Sequence, residues 1–175
     1  MKLLTTSGDI RAEDVELADL SITSTSGDVH VDLSEEQHVA WLEVRTTSGD
    51  VEVSAFADRM SISSTSGDAE VEGRMNDLNV TTVSGDIDVC AEVQNMSFKA
   101  ISGDVDLEFE SEEILDVHGS TISGDIDIDL PDGIGAIAIN TSTRSGDVTT
   151  RYNSNGVGPT VSGSVSSVSG DITIR

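Results

Sequence analysis

The chain holds one cysteine, five aromatic residues and two lysines in 175 residues. The single thiol, Cys90, excludes a disulfide framework and a thiolate metal cluster. Five aromatics, Phe56, Phe98, Phe109, Trp41 and Tyr152, are too dispersed to act as sugar platforms, so Val, Ile, Leu and Ala must supply the core. Cations are scarce as well: nine Lys and Arg stand against 33 Asp and Glu, a formal net charge of -24. Such a field repels phosphate backbones and anionic lipid, which argues against nucleic acid and membrane surfaces as partners. The opening MKLLTTSGDI lacks the apolar run of a signal peptide, and no stretch has transmembrane length. Direct membrane insertion is therefore not expected. A cytoplasmic place, or one at the envelope as part of a longer protein, is left open.

An acid-rich, lysine-poor surface resembles those of proteins from extreme halophiles, where molar cation screens self-repulsion. An acidic exported protein is the alternative.

The chain spells Ser-Gly-Asp nine times, with glycines at Gly8, Gly27, Gly49, Gly67, Gly85, Gly103, Gly124, Gly146 and Gly170. Their spacings are 19, 22, 18, 18, 18, 21, 22 and 24, a floor of 18 with excess in some intervals. Two residues after each glycine stands an apolar residue, from Ile10 and Val29 through to Ile172. Four after it come Val31, Val53, Val71, Val89, Leu107, Ile128 and Ile174. Seven and five before it lie pairs such as Leu20/Ile22, Met60/Ile62 and Met96/Phe98, with polar residues between. This alternation predicts strands with one buried face on either side of a corner.

A fixed minimum period of this kind predicts an all-β, single-stranded parallel β-helix, a solenoid of about nine coils of 18–24 residues with right-handed winding. Residues 1–175 are read as a single β-helix domain. Eighteen residues suit a three-sided coil of about six residues per side. Loops are expected where the spacing exceeds the floor: LSEEQHVAW (33–41), ESEEILDVHGS (110–120), LPDGIGA (130–136) and RYNSNGVGPT (151–160). The repeat is in register from Met1 and Leu3 and runs to Ile174, with no polar cap evident at either end. The chain is thus expected to be a piece of a longer protein or to meet another subunit end to end.

The triplet reads first as architecture. Glycine supplies the positive φ of a corner, and Ser and Asp bond nearby backbone N–H groups. In register, Asp9, Asp28, Asp50, Asp68, Asp86, Asp104, Asp125, Asp147 and Asp171 form a carboxylate column. Neighbours about 4.8 Å apart repel by about 0.9 kcal/mol in a water-like dielectric. Turn N–H groups offset that, or a row of Ca²⁺ or monovalent cations does. No cofactor is otherwise expected. Thr6, Thr25, Thr47, Thr65, Thr82, Thr121 and Thr143 are read as a second outward ladder. The histidines His30, His38 and His118 are scattered, and Cys90 falls at an outward position. No catalytic residues are assigned.

The recurring unit is a Thr or Ser, any residue, Ser-Gly-Asp, Ile or Val, any residue, then Val or Ile. It resembles the adhesin-type family of β-strand-repeat proteins along nearly the whole chain, from Ser7 to Asp171. The resemblance implies a β-helical fold and a non-catalytic surface or envelope role, and it carries no catalytic residues over. The expected function is a non-enzymatic, adhesin-like interaction or scaffolding module whose protein or cell-surface partner the sequence leaves unknown. A β-helical polysaccharide-active enzyme and a bactofilin-like end-to-end polymer are the alternatives.

Overall fold

Strands pair in parallel throughout the computed structural model, which describes residues 1–111, 116–151 and 157–175. The result is an all-β parallel solenoid whose nine Ser-Gly-Asp corners stack along one edge. The central coils are the most regular. Val51–Ser66 and Ala69–Ser84 are 16-residue strands paired in register along nearly their whole length.

Inward side chains follow the alternation. Between the third and fourth corners Val51, Val53, Ala55 and Ala57 precede Met60 and Ile62, all at most 3% exposed. The core is one continuous stack from Ala12 to Ile174, built almost wholly from aliphatic residues. At about 25 cal/mol per Å² of apolar surface, this burial is the main force holding so charged a chain together. The alternation breaks twice per coil. One break is the Ser-Gly-Asp corner. The other is a polar pair such as Asp58–Arg59 or Asn76–Asp77, flanked by buried residues on both sides. In the central coils the strands Val51–Ser66, Ala69–Ser84 and Ile87–Lys99 run through this polar pair, whereas in the other coils the strand after the corner ends before the next one begins.

The coils do not stack in chain order. The corner segments Val105–Phe109, Ile126–Asp129, Ile172–Ile174 and Val148–Thr150 are neighbours in that sequence. The preceding strands agree: Asp116–Ser123 pairs with Thr160–Ser169, which pairs with Ala136–Ser145. The ninth coil thus lies between the seventh and the eighth. Backbone bonds lock it on both sides, with Ile126 N–H to Asp171 O at 2.9 Å and Ile172 N–H to Asp147 O at 2.9 Å. Chain order alone carries no sign of this, since every coil offers the same edge.

Two of the expected loops are more ordered than their spacing suggests. Glu35–Gln37 forms a single 3-10 turn, and Leu130 and Ile134 of the 130–136 segment are buried. Residues 116–120 of the expected loop at 110–120 belong to the strand Asp116–Ser123. The remaining parts of the expected loops at 112–115 and 152–156 lie outside the described residues.

Candidate functional site

The nine corner glycines have φ between 107° and 148°. Each later corner packs on the one before it. A Cβ on Gly85 would stand 2.2 Å from the carbonyl oxygen of Gly67, so both the positive φ and the close approach demand glycine. The aspartates form a relay. Asp28 N–H donates to Asp9 Oδ1 at 3.1 Å, Asp86 N–H to Asp68 Oδ1 at 2.8 Å, and Asp104 N–H to Asp86 Oδ1 at 2.8 Å. The relay crosses the reordered coils: Asp171 N–H donates to Asp125 Oδ1 at 2.7 Å and Asp147 N–H to Asp171 Oδ1 at 2.8 Å. One oxygen of each of the first eight carboxylates in the stack is thus committed to the next corner.

The expected hydroxyl ladder divides into two columns. Thr6, Thr25, Thr47 and Thr65 stand two residues before the glycine and are exposed. Thr82 and Thr121 stand three before it, with Ser24, Thr46, Ser64 and Ser167, and face inward at 1–6% exposure. Thr143 shares that register and is half-buried. A shift of one residue reverses the face of a strand, which separates the two sets. Thr46 Oγ1 donates to Ser48 O at 3.2 Å. Among the described residues, the buried hydroxyls of Ser64, Thr82 and Thr121 have no partner.

Outward positions one, three and five residues after the glycines carry 19 of the 33 carboxylates against three arginines, Arg11, Arg151 and Arg175. Their middle forms an open groove of about 360 Å³ that includes Glu70, Glu72, Asp88, Asp106, Glu108, Asp129 and Arg175. Desolvation holds the Asp88 carboxyl above its usual range, aided by Asp86 and Asp68. Asp106 is raised in the same way, by desolvation and then by Asp127 and Asp88. Arg175 Nε donates to Asp129 at 2.5 Å and closes one end of the groove.

The strand before the corner presents the opposite chemistry. At its outward positions, six, four and two residues before each glycine, Glu43 is the sole carboxylate in all nine coils. Arg45 donates to Glu43 at 2.7 Å, and that bond holds the Glu43 carboxyl below its usual range. Most other residues there are Ser, Thr and Asn. In later coils the column two before the glycine changes from threonine to Val83, Ile101, Ile122 and Val168, each 39–48% exposed. The serines beside them pair in the order Ser84, Ser102, Ser123, Ser169, so these four side chains form one unbroken ridge. The change from Thr to Val or Ile is visible in the sequence once the register is fixed. The contiguity is not, because it depends on the ninth coil lying against the seventh.

The remaining expected residues stay apart. His30 meets Glu52 at 2.9 Å, His38 meets Asp58 at 3.2 Å and His118 meets Asp116 at 2.9 Å. The Cys90 thiol is pushed up by burial and then by Glu110 and Glu108, which disfavours the nucleophilic thiolate. Among the described residues, no group of three or more His, Cys, Asp or Glu side chains converges as a metal site. No helix among them is long and apolar enough to cross a membrane.

Fold and surface together define a parallel β-solenoid with an acid-dense face and a nearly acid-free one. The chain belongs to the Toastrack DUF4097 family, whose profile matches residues 1–114 and again 55–175. Two overlapping matches suit a repeat that can be laid on more than one set of coils. Neither a curated protein nor a solved structure matches the chain.

Proposed function

We propose that this Toastrack solenoid is a non-catalytic interaction or scaffolding module of the adhesin type, working through its flat outward faces. The observation that carries this reading is the separation of charge: 19 carboxylates at the outward positions one, three and five after the corner glycines, one at the positions six, four and two before them. Repeats that need only a fold leave their outward positions free to drift. A sorted pair of faces gives each a different class of partner.

One feature favours a second reading, a polysaccharide-active enzyme: Arg175 sits in a groove with Asp106, Glu108 and Asp129. Incubation with acidic and neutral polysaccharides discriminates the two. The scaffold reading expects no release of oligosaccharide. Release that disappears in Glu108→Gln and Arg175→Ala would establish the enzyme instead.

A further inference from the structure

We infer that the nearly acid-free face is the seat of a side-by-side dimer, in which the exposed ridge packs on the ridge of a second copy of this chain. The inference rests on the scaffold reading and narrows it to one face and one partner. Any association of two chains of net charge -24 is opposed by repulsion, and least where acids are missing. From the fourth coil onward, the outward positions six, four and two before the corner include Lys99, His118 and Arg144 and no carboxylate; Asp77 and Asp116, eight before it, stand at the far margin, where Asp116 is paired with His118. The ridge adds what a hydroxyl surface lacks: four adjacent branched side chains, held half out of water by a rigid stack.

The coil order fixes the geometry. A two-fold axis along the strands, between the sixth and seventh corners, sets Ile101 against Ile122 of the second copy and Val83 against its Val168. Lys99 then faces Ser120 of the second copy, and Arg144 faces its Thr65, so no like charges meet. Six rungs overlap over about 30 Å by 20 Å, or roughly 1,200 Å² counting both copies, the lower bound of a specific interface. Stacking on the open ends would leave this ridge exposed and gives filaments rather than dimers.

Sedimentation velocity of the full chain at micromolar concentration in molar KCl tests the pairing. The expected species has twice the chain mass. Ile101→Asp with Ile122→Asp weakens association by about 100-fold, placing carboxylates at the centre of the contact. Both positions are exposed, and an unchanged circular dichroism melt verifies the fold. On a Cys90→Ser background, Ile101→Cys chains mixed with Ile122→Cys chains give a covalent dimer on oxidation, and either variant by itself gives far less; keeping the two cysteines on separate chains prevents a bond between these neighbouring rungs. A mass that stays monomeric, one that grows into filaments, or a dimer indifferent to Ile101→Asp with Ile122→Asp overturns the inference. None of these outcomes bears on catalysis, which the polysaccharide assay decides separately.

Discussion

The ring of Phe98 occupies the volume that a side chain at residue 119 would need. A Cβ on Gly119 would stand 2.2 Å from Phe98 Cε1 and Cζ. These residues pair across adjacent coils, five before their corner glycines, where the other coils carry Leu, Ile, Val or Thr. A large residue and a vacancy thus share one layer of the core. Gly119→Ala is expected to cost about 1–3 kcal/mol through overpacking. Phe98→Leu with Gly119→Ala should cost less than the two single changes added together. Equal costs in a thermal-melt double-mutant cycle would show that the two side chains do not compete.

Acid should stabilise this fold before it destabilises it. Asp88 and Asp106 have folded-state pKa values above the ordinary value, chiefly through desolvation. The native state therefore binds protons more tightly, and stability falls as pH rises through the folded values. Glu43 and Glu92 are lowered, foremost by hydrogen bonds from Arg45 and Arg74, so their contribution is lost as pH falls through the acid end. The melting temperature is expected to rise as the pH falls from neutral toward the ordinary carboxylate range and to fall again below that range. Asp88→Asn with Asp106→Asn should raise stability at neutral pH and flatten the first rise. A melting temperature that falls steadily from neutral pH would contradict this.

Salt should act on the same face. Carboxylates on neighbouring rungs stand about 4.8 Å apart, within a Debye length of about 10 Å at 0.1 M and outside the 3 Å reached at 1 M. Melting temperature is expected to climb from low salt to molar KCl, more steeply for the natural chain than for Asp88→Asn with Asp106→Asn. Stability independent of salt would remove the support for a halophile origin.

The reordered coils make the C-terminal segment a keystone. Among the described residues, Ala136–Ser145 pairs only with Thr160–Ser169, and Val148–Thr150 pairs only with Ile172–Ile174. Truncation after residue 159 should therefore strip hydrogen-exchange protection from 136–150 while leaving the first six coils protected. Undiminished protection of 136–150 would mean that the eighth coil can close directly on the seventh.

Much of this was legible from spacing. The corner glycines, the inward stripe and the parallel stack follow from a period that local chemistry fixes, since Val, Ile and Gly admit few other arrangements there. What failed to show depended on register or on distant pairing. Thr82 and Thr121 looked like Thr65 until one residue of offset turned them inward. Val83, Ile101, Ile122 and Val168 were visible one by one, but their contiguity required the ninth coil to skip back beside the seventh. The acidic face was hidden within a composition acidic everywhere, and emerged when its opposite was found to be nearly free of acid.

The central structural claim is that the corner aspartate serves as a hydrogen-bond acceptor for the next coil, and Asp86 is the place to test it. Asparagine keeps the acceptor oxygen and drops the charge, whereas alanine removes both. Melting of Asp86→Asn and Asp86→Ala, with and without Ca²⁺, separates the two roles. Asp86→Asn is expected to melt at or above the natural chain, and Asp86→Ala to lose about 1 kcal/mol, or roughly 2–4 °C. No response to Ca²⁺ is expected beyond that to equal ionic strength. If Asp86→Asn is as damaging as Asp86→Ala, and Ca²⁺ raises the melting temperature of the natural chain alone, the column is a cation site and the account is wrong.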